Sequence, residues 1–166
     1  MISWLKSLLK PRGRFITASR PAVAPHQWLA FLLVHPEEGR AGADAPLRYT
    51  PALKQQLGRV NRAVNASITP TRDKGDAWSL SPQRGDCDDY AVTKRHHLRL
   101  SGVLPVGALR IAIVTTPSRE SHCVLIVKTD QGDFVLDNLT DQVLRWDQSR
   151  HQLVKIASAD PNVWAF

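Results

Sequence analysis

Pro105 separates two stretches of this 166-residue chain that have different hydrophobic periods. Before it, Leu53, Leu57, Val60 and Val64 recur at helical spacing. Thr50 is placed as N-cap and Pro51 as first helical residue, so a helix is predicted from Thr50 to Ala66. A second helix is predicted from Asp86 to Ser101, with Asp86 as N-cap, Asp88 and Asp89 in its first turn, and Gly102 closing it. Lys94, Arg95, His96, His97 and Arg99 fall in its later turns, which suits the helix dipole. After Pro105 the alternation is that of strands: Ala108 to Thr115, His122 to Lys128, and Asp133 to Leu139. Lys128 to Gly132 reads as a hairpin loop, and Val143 to Trp146 and Leu153 to Ile156 as edge strands. Helices followed by an antiparallel sheet make an α+β protein.

The remaining segments are less regular. Residues 11–26, rich in Pro, Arg and Ala, read as an extended arm. Gln27 to His35 is strongly apolar and predicts a buried short helix or strand. Pro36 to Pro46 reads as a loop, and Thr69 to Ser81 as a polar loop carrying Asp73, Gly75, Asp76 and Trp78. The expected organisation is an N-terminal segment over residues 1–26 and one domain over residues 27–166.

The net charge of +7 comes from basic residues scattered along the chain, without the basic stripe and interleaved aromatics of a nucleic-acid surface. Met1 to Lys10 is a short amphipathic segment interrupted by Lys6 and Lys10. It is too short and too charged for a signal-peptide core, and no stretch is apolar enough to span a membrane. It suits a docking helix, or weak contact with a membrane surface. A cytoplasmic location follows as the expectation. The two cysteines, Cys87 and Cys123, form neither a disulfide framework nor a zinc site.

Cys87 is the residue with chemical promise. It sits in the first turn of the second helix, where backbone N–H groups and the dipole favour a thiolate. Asp86, Asp88 and Asp89 act against that, because nearby negative charge raises a thiol pKa. His122 begins a strand and can serve as base. Asp137 follows Phe134-Val135-Leu136 and can orient the imidazole. Cys123 alternates away from His122 and belongs to the core. Cys, His and Asp on helix, strand and strand form the constellation used in thiol acyl transfer. The Cys87 N–H, with Gln83 or Trp78, is the expected oxyanion donor set.

Several of these stretches resemble the bacterial transglutaminase-like cysteine peptidases. They are Val60-Asn61 through Val64-Asn65, the loop from Asp73 to Trp78, Gly85 to Val92 with Lys94, His122, and Val135 to Leu139. The resemblance implies a papain/transglutaminase-like fold, a triad of Cys87, His122 and Asp137, and a protein or peptide substrate. It also implies a calcium site at Asp86 and Asp88, with Asp73 as a loop ligand, and no organic cofactor. The family's adhesin-cleaving members are periplasmic. This chain is shorter, has no signal peptide by the reading above, and carries Asp88 where a glutamate is usual, which suits a cytoplasmic or phage-encoded relative. The same triad could transfer the acyl group to an amine or deamidate a side chain. A chain that kept the fold without the chemistry would instead be a binding module for phage or polyanionic surfaces.

Overall fold

The computed structural model describes residues 13–72 and 77–166. The chain runs β1 (Pro21–Ala22), α1 (His26–Val34), α2 (Pro51–Ser67), β2 (Thr69–Pro70), β3 (Arg84–Gly85), α3 (Cys87–Leu100), β4 (Leu109–Thr115), β5 (Ser121–Thr129), β6 (Gly132–Leu136), β7 (Leu144–Arg145), β8 (Gln152–Ala157) and β9 (Trp164–Ala165). Two short 3-10 turns, Pro36–Gly39 and Val106–Ala108, complete it. The predicted amphipathic segment Met1 to Lys10 and the loop residue Asp73 lie outside the described residues.

The larger sheet has the order β1-β9-β8-β4-β5-β6-β7 and is antiparallel throughout. β2 and β3 form a separate short parallel pair. This is the α+β architecture expected from the sequence. β5 lies near its middle and is buried from His122 to Val127, because both faces of the sheet are covered. Cys123, Leu125 and Val127 share one face with Trp28, Leu57, Ala91 and Leu98 from the helices. Val124 and Ile126 point the other way, toward Trp146 and Ile156, with Ile16 and Ala18 laid across them. The predicted arm is thus part of the fold: Asp133, completely buried, accepts from Ile16 N at 2.6 Å and pairs with Lys128 Nζ at 2.6 Å.

α2 forms where its caps direct. Thr50 Oγ1 accepts from Leu53 N at 3.1 Å, and Pro51 needs no donor at the first position. The apolar segment from Gln27 is a helix, and only Trp28 and Phe31 are buried on it, while Leu33 and Val34 face solvent. One stripe of a helix suffices to cover a sheet, so a continuous apolar run overstated the burial.

Three further expectations change. The third predicted strand stops at Leu136, because Asp137 turns away to meet side chains rather than continue the ladder. The segment predicted as an edge strand at Leu153 to Ile156 is internal: β8 lies between β4 and β9. The predicted loop from Pro36 contains a 3-10 turn whose Glu38 is 1% exposed.

Glu38 also corrects the reading of the basic end of α3. Arg95 is itself buried and pairs with Glu38, as do Arg99 (2.8 Å) and His96 (2.7 Å). These cations hold a buried carboxylate, beyond any effect on the helix dipole. Burial pushes the Glu38 carboxyl up, but the His96 hydrogen bond and the Arg95 and Arg99 charges outweigh it and leave it below the usual glutamate range. Glu38→Gln should therefore cost about 3 kcal/mol, since it strands Arg95 in the interior. Glu38 contributes its stability above the unfolded glutamate pKa of about 4.3, and loses it as pH falls toward its lower folded value. Thermal melts across acid pH should show a flatter decline for the variant than for the wild type.

Candidate active site

The start of α3 is built by reciprocal capping. Asp86 and Asp89 form a capping box, and Asp86 N donates to Asp89 Oδ2 at 3.1 Å. Asp89 Oδ1 also accepts from Ser79 N at 2.7 Å, which draws the Trp78 loop to the helix start. Gly85 permits this: a Cβ there would lie 2.4 Å from Asp89 Oδ2. The Gly-Asp-Cys-Asp-Asp run thus has a steric reason for its glycine and a capping reason for its first and last acids.

Cys87, Asp88, Trp78, His122 and Cys123 all line one cleft of about 430 Å³. The cleft is closed on another side by Val23 to Gln27, the end of the arm and the start of α1. Gln27, an amide donor that the sequence reading assigned only to an apolar segment, is therefore on the cleft wall. Of the two expected oxyanion side chains, Trp78 lines the cleft, packed against Trp28 at 5.7 Å between ring centroids. Gln83 is exposed on the loop before β3 and is not among the cleft's lining residues.

His122, the second residue of β5, is 7% exposed and donates from Nε2 to Asp137 Oδ1 at 2.8 Å. It takes the alternation of Val124 and Ile126, whereas Cys123 packs on the α3 side. His122 reaches the cleft because it stands near the end of the strand. With Nε2 committed to Asp137, Nδ1 is its other ring nitrogen. The thiol and the imidazole share the cleft without a hydrogen bond between them.

Asp137 is 4% exposed and its position is over-determined. Oδ1 also accepts from Leu139 N at 3.0 Å. Oδ2 accepts from His151 Nε2 at 2.7 Å. Burial raises its carboxyl, yet the hydrogen bonds from His122 and His151, with the Leu139 N–H, hold it well below the usual carboxylate range, so it is an anion. The turn that carries it is tied to α2: Asn65 Nδ2 donates to the Asp137 and Thr140 carbonyls at 3.1 and 3.2 Å, and Asn61 Nδ2 to Thr140 O at 3.0 Å.

Two neighbours of the site were given no part in it by sequence reasoning. His151 stands in a polar loop just before β8, where nothing in its spacing marks it. Lys94 is completely buried, its Nζ 5.7 Å from the Tyr90 ring and hydrogen-bonded to no described residue. Burial pushes its ammonium down to about 7, against the pull of Asp137 and Asp141. Its place on the Cys87 face of an otherwise apolar helix stripe was the available signal.

The electrostatics at Cys87 oppose a thiolate. Burial raises the thiol to about 12, with Asp88 and Asp86 adding to the rise and the Cys123 and Cys87 N–H groups working against it. Asp88 is raised to about 9, by burial first and then by the Asp86 carboxylate against it and the Asp89 charge. One ligand oxygen from each of Asp86, Asp88 and Asp89 lies within 4.8 Å of the others.

A family model for the bacterial transglutaminase-like cysteine proteinases matches residues 18–166. The chain belongs to that family. It is a transglutaminase-like cysteine protease, a hydrolase. No curated protein matches it at the sequence level. Among solved structures it is similar to Legionella pneumophila LapG, at 23% identity over 84% of this chain and 76% of that one, with a TM-score of 0.59. Calcium-bound LapG matches with a TM-score of 0.61 over 84% and 78%, and EGTA-treated LapG with 0.58 over 85% and 76%, both at 23% identity. At this identity the likeness establishes the fold. No helix among the described residues is long and apolar enough to cross a membrane.

The tie between α2 and the Asp137 turn gives a test. Asn65→Ala removes donors to two carbonyls and to Asp141 Oδ1, and should cost about 1–3 kcal/mol. Hydrogen exchange should show opening at residues 137–141 accelerated by more than the global loss of stability accelerates it in β4 and β5.

Proposed function

We propose that this cysteine proteinase cleaves a peptide bond through a triad of Cys87, His122 and Asp137. The observation that carries the reading is the ionised Asp137 holding His122 by Nε2 in the same cleft as Cys87. A carboxylate only accepts, so His122 donates from Nε2 and keeps the Nδ1 lone pair for the thiol proton. The thiolate attacks the carbonyl carbon, and the oxyanion is received by the Cys87 N–H with Trp78 or Gln27. His122 passes its proton to the leaving amine and a thioester remains. Water, deprotonated by His122, attacks the thioester; the C–S bond breaks, the acid product is released and the Cys87 thiolate is regenerated.

Calcium fits the acids beside the nucleophile. Its ligands are oxygens, and burial first, then the Asp86 carboxylate beside it, leave Asp88 holding a proton that a cation would replace. Asp89 is the less available of the three, since both its oxygens already accept backbone N–H groups. When bound, calcium supplies positive charge that offsets the two carboxylates raising the Cys87 thiol. Calcium bound by LapG supports this reading by analogy of fold. Asp73, outside the described residues, remains the proposed loop ligand.

Iodoacetamide labelling of Cys87 at fixed neutral pH needs no known substrate. Labelling should be roughly tenfold or more faster in calcium than in EGTA, because an offset charge moves a pKa by about one unit or more. His122→Ala should remove that fast phase. Equal rates in calcium and EGTA, with calorimetry showing no calcium uptake, would remove the calcium assignment. A wild-type rate in His122→Ala would remove the triad. On any peptide found to be cleaved, Asp137→Asn should lower kcat on the order of 10⁴-fold, as expected when an orienting carboxylate is lost.

A further inference from the structure

We infer that His151 is a positioning residue for this reaction, a fourth group acting through Asp137. The inference rests on the triad reading. Each oxygen of Asp137 serves one imidazole: Oδ1 takes His122 Nε2 at 2.8 Å and Oδ2 takes His151 Nε2 at 2.7 Å. The two rings stand 5.5 Å apart between centroids, tilted by 48° to one another. His151 is 8% exposed and is not among the residues lining the cleft that holds Cys87; it lines a separate cavity together with Asp137.

A carboxylate held at one oxygen can turn about its Cβ–Cγ bond, and the imidazole it orients turns with it. Held at both, it has one orientation. The Leu139 N–H reinforces Oδ1 alone, so His151 is the group that fixes the second oxygen. His151 is itself placed by the sheet: the next residue, Gln152, begins β8 and pairs with Thr115 of β4, while β4 pairs Val114 with His122 of β5. Both histidines are thereby referenced to β4, and the Asp137 side chain closes the gap between them. Without His151, Oδ2 becomes a buried acceptor with no partner, and the carboxylate gains a reason to rotate or to protonate.

The test uses the full chain with calcium present and iodoacetamide as the probe of Cys87. His151→Leu should slow labelling roughly 10- to 100-fold, the scale of a misaligned reacting group. His151→Gln places an amide N–H where Nε2 stood and should restore the rate to within about threefold of wild type, whereas His151→Asn reaches only the Nδ1 position and should not. Nitrogen NMR of the His122 ring should show one tautomer, protonated at Nε2, in wild type and His151→Gln, and a mixture in His151→Asn. If His151→Leu fails to fold, the Gln and Asn pair decides alone. Equal rates and a single His122 tautomer in all variants would overturn the inference while leaving the triad intact. If His122→Ala labels like wild type, the triad reading fails, and this inference falls with it.

Discussion

One buried negative charge organises this protein. Asp137 lies under 5% exposed just past the end of a core strand, where an unpaired carboxylate would be prohibitively costly. It is tolerated because four separate parts of the chain converge on it. β5 brings His122, the loop before β8 brings His151, the following turn brings the Leu139 N–H, and α2 grips the turn's carbonyls through Asn61 and Asn65. That charge in turn holds the His122 ring, which lines the cleft.

A second buried acid sets where α3 lies. Glu38 gathers Arg95, His96 and Arg99 from the C-terminal half of α3, while the capping box of Asp86 and Asp89 fixes its N-terminal end. The helix that presents Cys87 is held at both ends by carboxylates. Between them, Lys94 is buried with an ammonium weakened by desolvation and drawn toward Asp137 and Asp141. The acids at the N-terminal end hold the backbone in place at the expense of the thiolate.

Much of this could be read from the residues alone. Thr50-Pro51 announced α2, and Asp86 as N-cap, with Asp88 and Asp89 in the first turn, announced α3, because caps act within one turn and need no tertiary partner. The strand alternation in Leu109 to Thr115 and in His122 to Lys128 set both faces of the central hairpin, because period two survives wherever each face has a cover. Asp137 was found because an ionisable group straight after three apolar strand residues must have a partner. Which partner, and how many, is a different matter. His151 and Glu38 lie in polar segments with no period, and their roles depend on groups far away in sequence.

The sequence by itself determined the α+β order, the helix start that carries Cys87, and the conflict between that thiol and its flanking acids. All three follow from interactions within a few residues. Only the tertiary structure decided that the arm is an edge of the sheet, that Glu38 needs three cations, that Gln27 rather than Gln83 stands at the cleft, and that Asp137 is shared between two histidines. Those outcomes rest on burial and on pairings across dozens of residues, where a polar side chain's partner is chosen by the folded surroundings and not by its neighbours in the chain.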